Sequence, residues 1–174
     1  MYRAEDLRPG DIILCEGALD VRDPLGLLFV WASDNPLQHA ALVGDGELVE
    51  GLDEVGTVPL DEYADVGWRF EVAGASADQL RAAVTAARSR VGQSYGYRAV
   101  LAAGMRIPLY KRLDPHDVVS SALVTWAFGQ AGIRLSWEPL PSVASLSHSP
   151  LLLGPRPWLR PACAGGSPFR SRSG

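Results

Sequence analysis

The stretch QHAALVGDGELVEG, residues 38–51, constrains the fold more than any other part of the chain. Two β-prone runs flank Asp45-Gly46, a dipeptide suited to the left-handed backbone of a two-residue hairpin turn. With those residues as the loop, the pairing follows. Gly44 faces Glu47, Val43 faces Leu48, Leu42 faces Val49, Ala41 faces Glu50 and His39 faces Leu52. Side chains alternate across a strand, so His39, Ala41 and Glu50 share one face. His39 and Glu50 become diagonal neighbours within reach of each other. A carboxylate beside an imidazole fixes its tautomer and stabilises the imidazolium, as a general base requires. The same pattern also suits a satisfied strand-end histidine beside a solvated carboxylate, and a one-residue slip would part the pair.

Around the hairpin the pattern mixes strands and helices. LRPGDIILC predicts a Pro-Gly turn and a strand over residues 11–15, and DPLGLLFVWASDNP predicts a short buried helix or irregular segment. TVPLDEYADVGWRFEVAG reads as a turn, a short helical piece at residues 60–64 and a strand at 68–72. SADQLRAAVTAARSRVG is a helix with a Ser76/Gln79 capping box and Gly92 at its exit. Its apolar stripe is Leu80, Ala83, Val84, Ala87 and Val91, and Arg81, Arg88 and Arg90 read as solvated. QSYGYRAVLAAGMRIPLYKRLDPHD suggests a helix broken at Gly104 and Pro108. From Ser136 the chain is Pro- and Ser-rich and reads as irregular. Alternation without βαβ regularity predicts an α+β fold, a small antiparallel sheet packed against helices.

DVVSSALVTWAFGQAGI, residues 117–133, places Ser120 and Ser121 at the mouth of a helix whose apolar face is Leu123, Val124, Ala127, Phe128 and Ala131. A nucleophile at a helix start gains from the dipole and from free backbone N–H groups that can bind an oxyanion. Serine stays protonated near neutral pH and needs a placed base, and it is also a preferred helix cap. Both readings stand for Ser120. Ser121 is the relevant hydroxyl if the helix starts a residue later. His116 and His148 are the remaining histidines.

Composition sets outer limits. The chain has 174 residues, 47% hydrophobic and 21% charged, enough for one domain with a proper core. No run reaches the roughly 18 apolar residues of a membrane helix. The start, MYRAEDLRPGD, has no secretory pattern, so the expected location is the cytoplasm or a larger assembly. Cys15 and Cys163 lie in unlike surroundings, so neither a disulfide nor a metal site is expected, and no cofactor is called for. All 20 acidic residues lie in 1–138, against 12 of the 16 basic ones. That acidic body argues against a nucleic-acid partner. The division expected is a domain over 1–150 and a Pro/Gly/Ser/Arg-rich extension over 151–174, flexible or ordered by a protein partner.

Four segments together resemble the circularly permuted branch of the NlpC/P60 superfamily of papain-like hydrolases. LRPGDIIL resembles the opening strand and QHAALVGDGELVEG the histidine hairpin. VGQSYGY resembles the segment before the active-site helix, and VVSSALVTWAFGQAGI the nucleophile helix. The resemblance covers residues 7–150, and its order, histidine before nucleophile, is the permuted one. It implies a permuted papain-like fold with His39 as general base, Glu50 orienting it, Tyr95 in the pocket and Ser120 at the nucleophilic cysteine position. The implied chemistry is hydrolysis of a cell-wall peptide or an acyl amide through an acyl-enzyme. Serine departs from the pattern. It implies lost activity, an altered working site, or a cysteine deliberately exchanged for serine. A second reading is a non-catalytic binding or assembly module of a viral or cell-envelope complex. A third, an acyl enzyme at a lipid surface, draws on the apolar residues 25–32.

Overall fold

A computed structural model describes residues 1–16, 37–51, 54–93, 120–138 and 141–155. Among these, six strands form one antiparallel sheet: β1 (Ile12–Glu16), β2 (Leu37–Val43), β3 (Glu47–Gly51), β4 (Val55–Pro59), β5 (Gly67–Val72) and β6 (Leu152–Leu153). Their order across the sheet is β4-β3-β2-β1-β5-β6. Three helices accompany them: α1 (Ala77–Arg88), α2 (Ser120–Gln130) and α3 (Val143–Ser147). The architecture is α+β.

The Asp45-Gly46 turn sets the centre of the sheet. Gly46 has φ +84, which a side chain would resist. The register it fixes is Ala41 with Glu50, Leu42 with Val49 and Val43 with Leu48. Gly44 N–H donates to the Glu47 carbonyl at 2.7 Å and closes the hairpin. Leu52, the expected partner of His39, lies outside the described residues.

Alternation then gives the sheet two unlike faces. On one, Ile12, Leu14, Ala40, Leu42, Val49 and Phe70 pack with Ala83, Val84 and Ala87 of α1 and Leu123, Val124, Ala127 and Phe128 of α2. On the other, Ile13, Cys15, Ala41, Val43 and Leu48 meet Tyr2, Leu7, Leu60 and Tyr63. The first is the helix face. The second is the turn face, because the chain between β4 and β5 covers it.

That crossing follows from strand order. After β4, at one edge, the chain must pass β3, β2 and β1 to lay β5 beside β1. Residues 60–66 begin that passage as successive turns, with Ala64 N–H on the Asp61 carbonyl and Val66 N–H on the Tyr63 carbonyl. The expected helical piece at 60–64 is therefore a run of turns. So short a segment between Pro59 and Gly67 cannot offset the cost of nucleating a helix.

Helix α1 begins as its capping box predicts: Gln79 N–H donates to Ser76 Oγ at 3.2 Å and Ser76 N–H to Gln79 Oε1 at 3.1 Å. It ends at Arg88, so Val91 falls beyond the stripe and is exposed. Arg88 is not simply solvated, because it reaches Glu47 at 2.8 Å and Asp45 at 3.4 Å in the hairpin. Arg81 pairs with Asp78 on its own helix. Arg90 lies 4.2 Å over the Trp126 ring, which joins α1 to α2.

Three elements are absent from the sequence expectation. Strand β4 occupies a stretch read as a turn. Helix α3 starts at a Ser142 cap, and β6 pairs Leu152 with Val72. Leu152 is buried. These elements are short and contain or adjoin Pro and Ser. Tertiary pairing forms them, with no periodicity of their own.

Candidate functional site

The buried polar group of the turn face is built by the hairpin. His39 and Glu50 project from neighbouring strands, and His39 Nε2 lies 2.7 Å from Glu50 Oε2. The carboxylate side chain is 3% exposed and the imidazole 15%. Burial pushes the Glu50 carboxyl upward. Hydrogen bonds from His39 and Tyr63 and the attraction of the imidazolium outweigh that push and hold it below its ordinary value. Glu50 is therefore an acceptor only, so the proton between the two groups sits on Nε2. In neutral His39 the lone pair is then on Nδ1. Among the described residues that nitrogen has no hydrogen-bond partner.

Tyr63 completes the group from the crossing turn. Its ring centroid is 5.3 Å from that of His39, tilted by 53°. Burial and the Glu50 charge raise the phenol well above its usual range, so it remains a neutral donor. Cys15 stands beside His39 in the β1–β2 ladder. Burial, with Glu50 adding, keeps its thiol protonated. It is a packing residue here, as expected from its apolar run.

Ser120 is the first residue of α2 and is buried. Its helix packs on the helix face, whereas His39 alternates with Ala41 and Val43 toward the turn face. The structure thus brings His39 and Glu50 together. Ser121 is committed elsewhere: its hydroxyl donates to the Pro141 carbonyl at 2.6 Å. His148 Nδ1 lies 2.7 Å from the Ala144 carbonyl, which ties down the end of α3. Tyr95 and His116 lie outside the described residues.

Tyr63 was not legible as a site residue. A lone tyrosine in LDEYADV has no spacing signal. Strand order reveals it, because a chain leaving β4 for the far side of β1 has to cross the face that carries His39 and Glu50.

No family model matches the chain, and no curated protein matches it. Among solved structures it is similar to the metalloprotein yiiX of Escherichia coli O157:H7, described as DUF1105. The two are 16% identical, with a TM-score of 0.63, over 86% of this chain and 96% of the other. At that identity the likeness shows the fold alone. It also corrects the NlpC/P60 resemblance, since the neighbour points to a different family. The physical reason lies in the motifs. An Asp-Gly hairpin and a serine-started helix are general devices of strand pairing and helix termination. They recur wherever those local problems arise.

Among the described residues no helix is long and apolar enough to cross a membrane.

Proposed function

We propose that His39 and Glu50 form the acid–base dyad of a hydrolase-type site for amide or acyl bonds. In this reading Ser120 holds the nucleophile position with little turnover of its own. The observation that supports it is the 2.7 Å contact of a buried, ionised carboxylate with His39 Nε2, which leaves Nδ1 as the accepting nitrogen. In such a site Nδ1 takes the proton from the attacking group, and Glu50 stabilises the imidazolium that results. The imidazolium then returns the proton to the leaving group. N–H groups at the start of α2 would face the oxyanion. A thiol gives up its proton far more readily than a hydroxyl, which is why serine works poorly in this role. On this reading the hairpin-before-helix order is a permuted papain-like arrangement. Cell-wall peptides or acyl amides are the substrate class.

The metal in the description of the bacterial neighbour has no counterpart in this proposal. Among the described residues no three His, Cys, Asp or Glu side chains converge to hold one. No step is routed through a metal.

A non-catalytic binding or assembly module is the second reading. The acidic body and the basic C-terminal stretch favour it. The test is Ser120→Cys, assayed beside the serine form on cell-wall peptides and a generic acyl amide. The expected result is activity gained by the cysteine form, at least ten-fold, and abolished by adding His39→Ala. Turnover by the serine form would retire the module. Silence in both forms would retire the hydrolase.

A further inference from the structure

Strand β2 does not alternate regularly where it carries His39. Against β1, Cys15 pairs with His39, but the next residue, Glu16, pairs with Leu37. Strand β2 thus holds one residue more than its partner at this point. The faces agree with that bulge. Leu37 and Ala40 both pack in the helix-face core, whereas Cys15, directly opposite His39, belongs to the turn-face cluster. Residues two apart on a regular strand share a face, and Leu37 and His39 do not. In a bulge two consecutive residues oppose one on the partner strand and a side chain is re-aimed. Gln38 and His39 therefore both oppose Cys15 and turn toward its face. Both are half-buried, while Glu50 is buried. The Gln38 side chain thus stands beside the imidazole where solvent still reaches both.

We propose that Gln38 binds the backbone of an extended peptide at the His39–Glu50 site, and so selects peptides over acyl groups that lack a backbone N–H. The proposal rests on the reading of that pair as a site for amide or acyl bonds, and it narrows the substrate class. A primary amide carries two donor hydrogens and an acceptor oxygen with two lone pairs. It can therefore keep a bond within the protein and still take a ligand. In an extended peptide the N–H and C=O of one residue point the same way. The Gln38 oxygen accepts from that N–H, and its NH2 donates to that carbonyl. Where the ligand has an ester oxygen in place of the N–H, the Gln38 oxygen loses its partner. A site that hydrogen-bonds a substrate N–H rejects the analogue lacking it. The amide is also uncharged, so it leaves the imidazolium to Glu50.

The test needs no turnover. N-acetyl-alanine methylamide serves as the peptide probe, beside the depsipeptide in which its alanine N–H is replaced by oxygen. Each is titrated into the full chain while proton and nitrogen-15 NMR follows the Gln38 side-chain amide and the His39 imidazole. The two sets of resonances are expected to move together, with the peptide bound about five-fold or more tightly than the depsipeptide. Gln38→Leu keeps similar bulk and is expected to bring that preference below about two-fold. Its His39 Nε2–H resonance should be unmoved before any probe is added. Should Gln38→Leu not fold, Gln38→Ala carries the same expectation. Equal binding of the two probes to the unaltered chain, binding of neither, or a preference that survives loss of Gln38 overturns the proposal. A variant that displaces the His39 resonance on its own acts through the dyad, and that too overturns it. Peptide-selective binding with no turnover in Ser120→Cys would retire the hydrolase reading and keep the role of Gln38. Turnover without peptide preference would do the reverse.

Discussion

The two faces of the sheet differ in what they bury. The helix face buries Ile12, Leu14, Leu42, Val49 and Phe70 against two helices, an apolar cluster that forms the larger core. The turn face buries fewer apolar residues and places His39, Glu50 and Tyr63 beside them. The same strands serve both, since residues 40 and 42 face one way and 39 and 41 the other. Most of the hydrophobic stabilisation therefore belongs to the helix face, and the acid–base chemistry belongs to the turn face. A polar group near the middle of a sheet is tolerable when the opposite face holds the strands together. Its own cost is met by mutual hydrogen bonding.

The largest expected effect tests the helix face. Phe70 is fully buried in the helix-face core, beside Ile12 of β1. Phe70→Ala is expected to lower stability by about 3–5 kcal/mol, read by denaturant unfolding. A loss below about 1 kcal/mol would dissolve the contrast between the faces. Next is Gly67→Ala, whose Cβ would press on the Tyr63 backbone and on Ile13 and Tyr2. A cost of about 1–3 kcal/mol is expected, with the His39 resonances displaced. An unchanged His39 spectrum would show that the turn is not what holds the dyad.

The smallest effect is the pH dependence of the dyad. Folding lowers the Glu50 carboxyl below its ordinary 4.5. A depressed carboxyl lends stability that is complete above the unfolded value and is lost as the pH falls through the folded one. Unfolding free energy should therefore decline below about pH 4.5. Glu50→Gln is expected to remove part of that slope while leaving the alkaline side alone. An acid limb identical in the variant would mean that Glu50 does not carry it.

What the sequence made legible follows the same division by range. The His39–Glu50 contact could be derived, because a two-residue turn fixes register and register fixes the face. The start of α1 could be derived from Ser76 and Gln79, four residues long and self-contained. Whether Ser120 meets His39 depends on how α2 docks, which no local pattern encodes. Tyr63 depends on strand order, and strand order on long-range pairing of β1 with β5. The NlpC/P60 resemblance went astray for a related reason. It joined local motifs whose meaning lies in their mutual placement.

The tight turn at Asp45-Gly46 also bears on when, in time, the dyad appears. A hairpin closed by two residues forms in about 1–10 μs. Tyr63 can reach His39 only after the β1–β5 ladder has closed, which pairs residues such as Ile13 and Arg69. Closing so long a loop carries a larger entropic cost and is slower. During refolding the imidazole and carboxylate are thus expected to pair first and to be clamped last. Stopped-flow fluorescence of the tyrosines, set against pulse-labelled amide exchange in β2 and β3, would time the two events. Assembly of the chemical pair is a local reflex of the chain, and its alignment waits on completion of the fold.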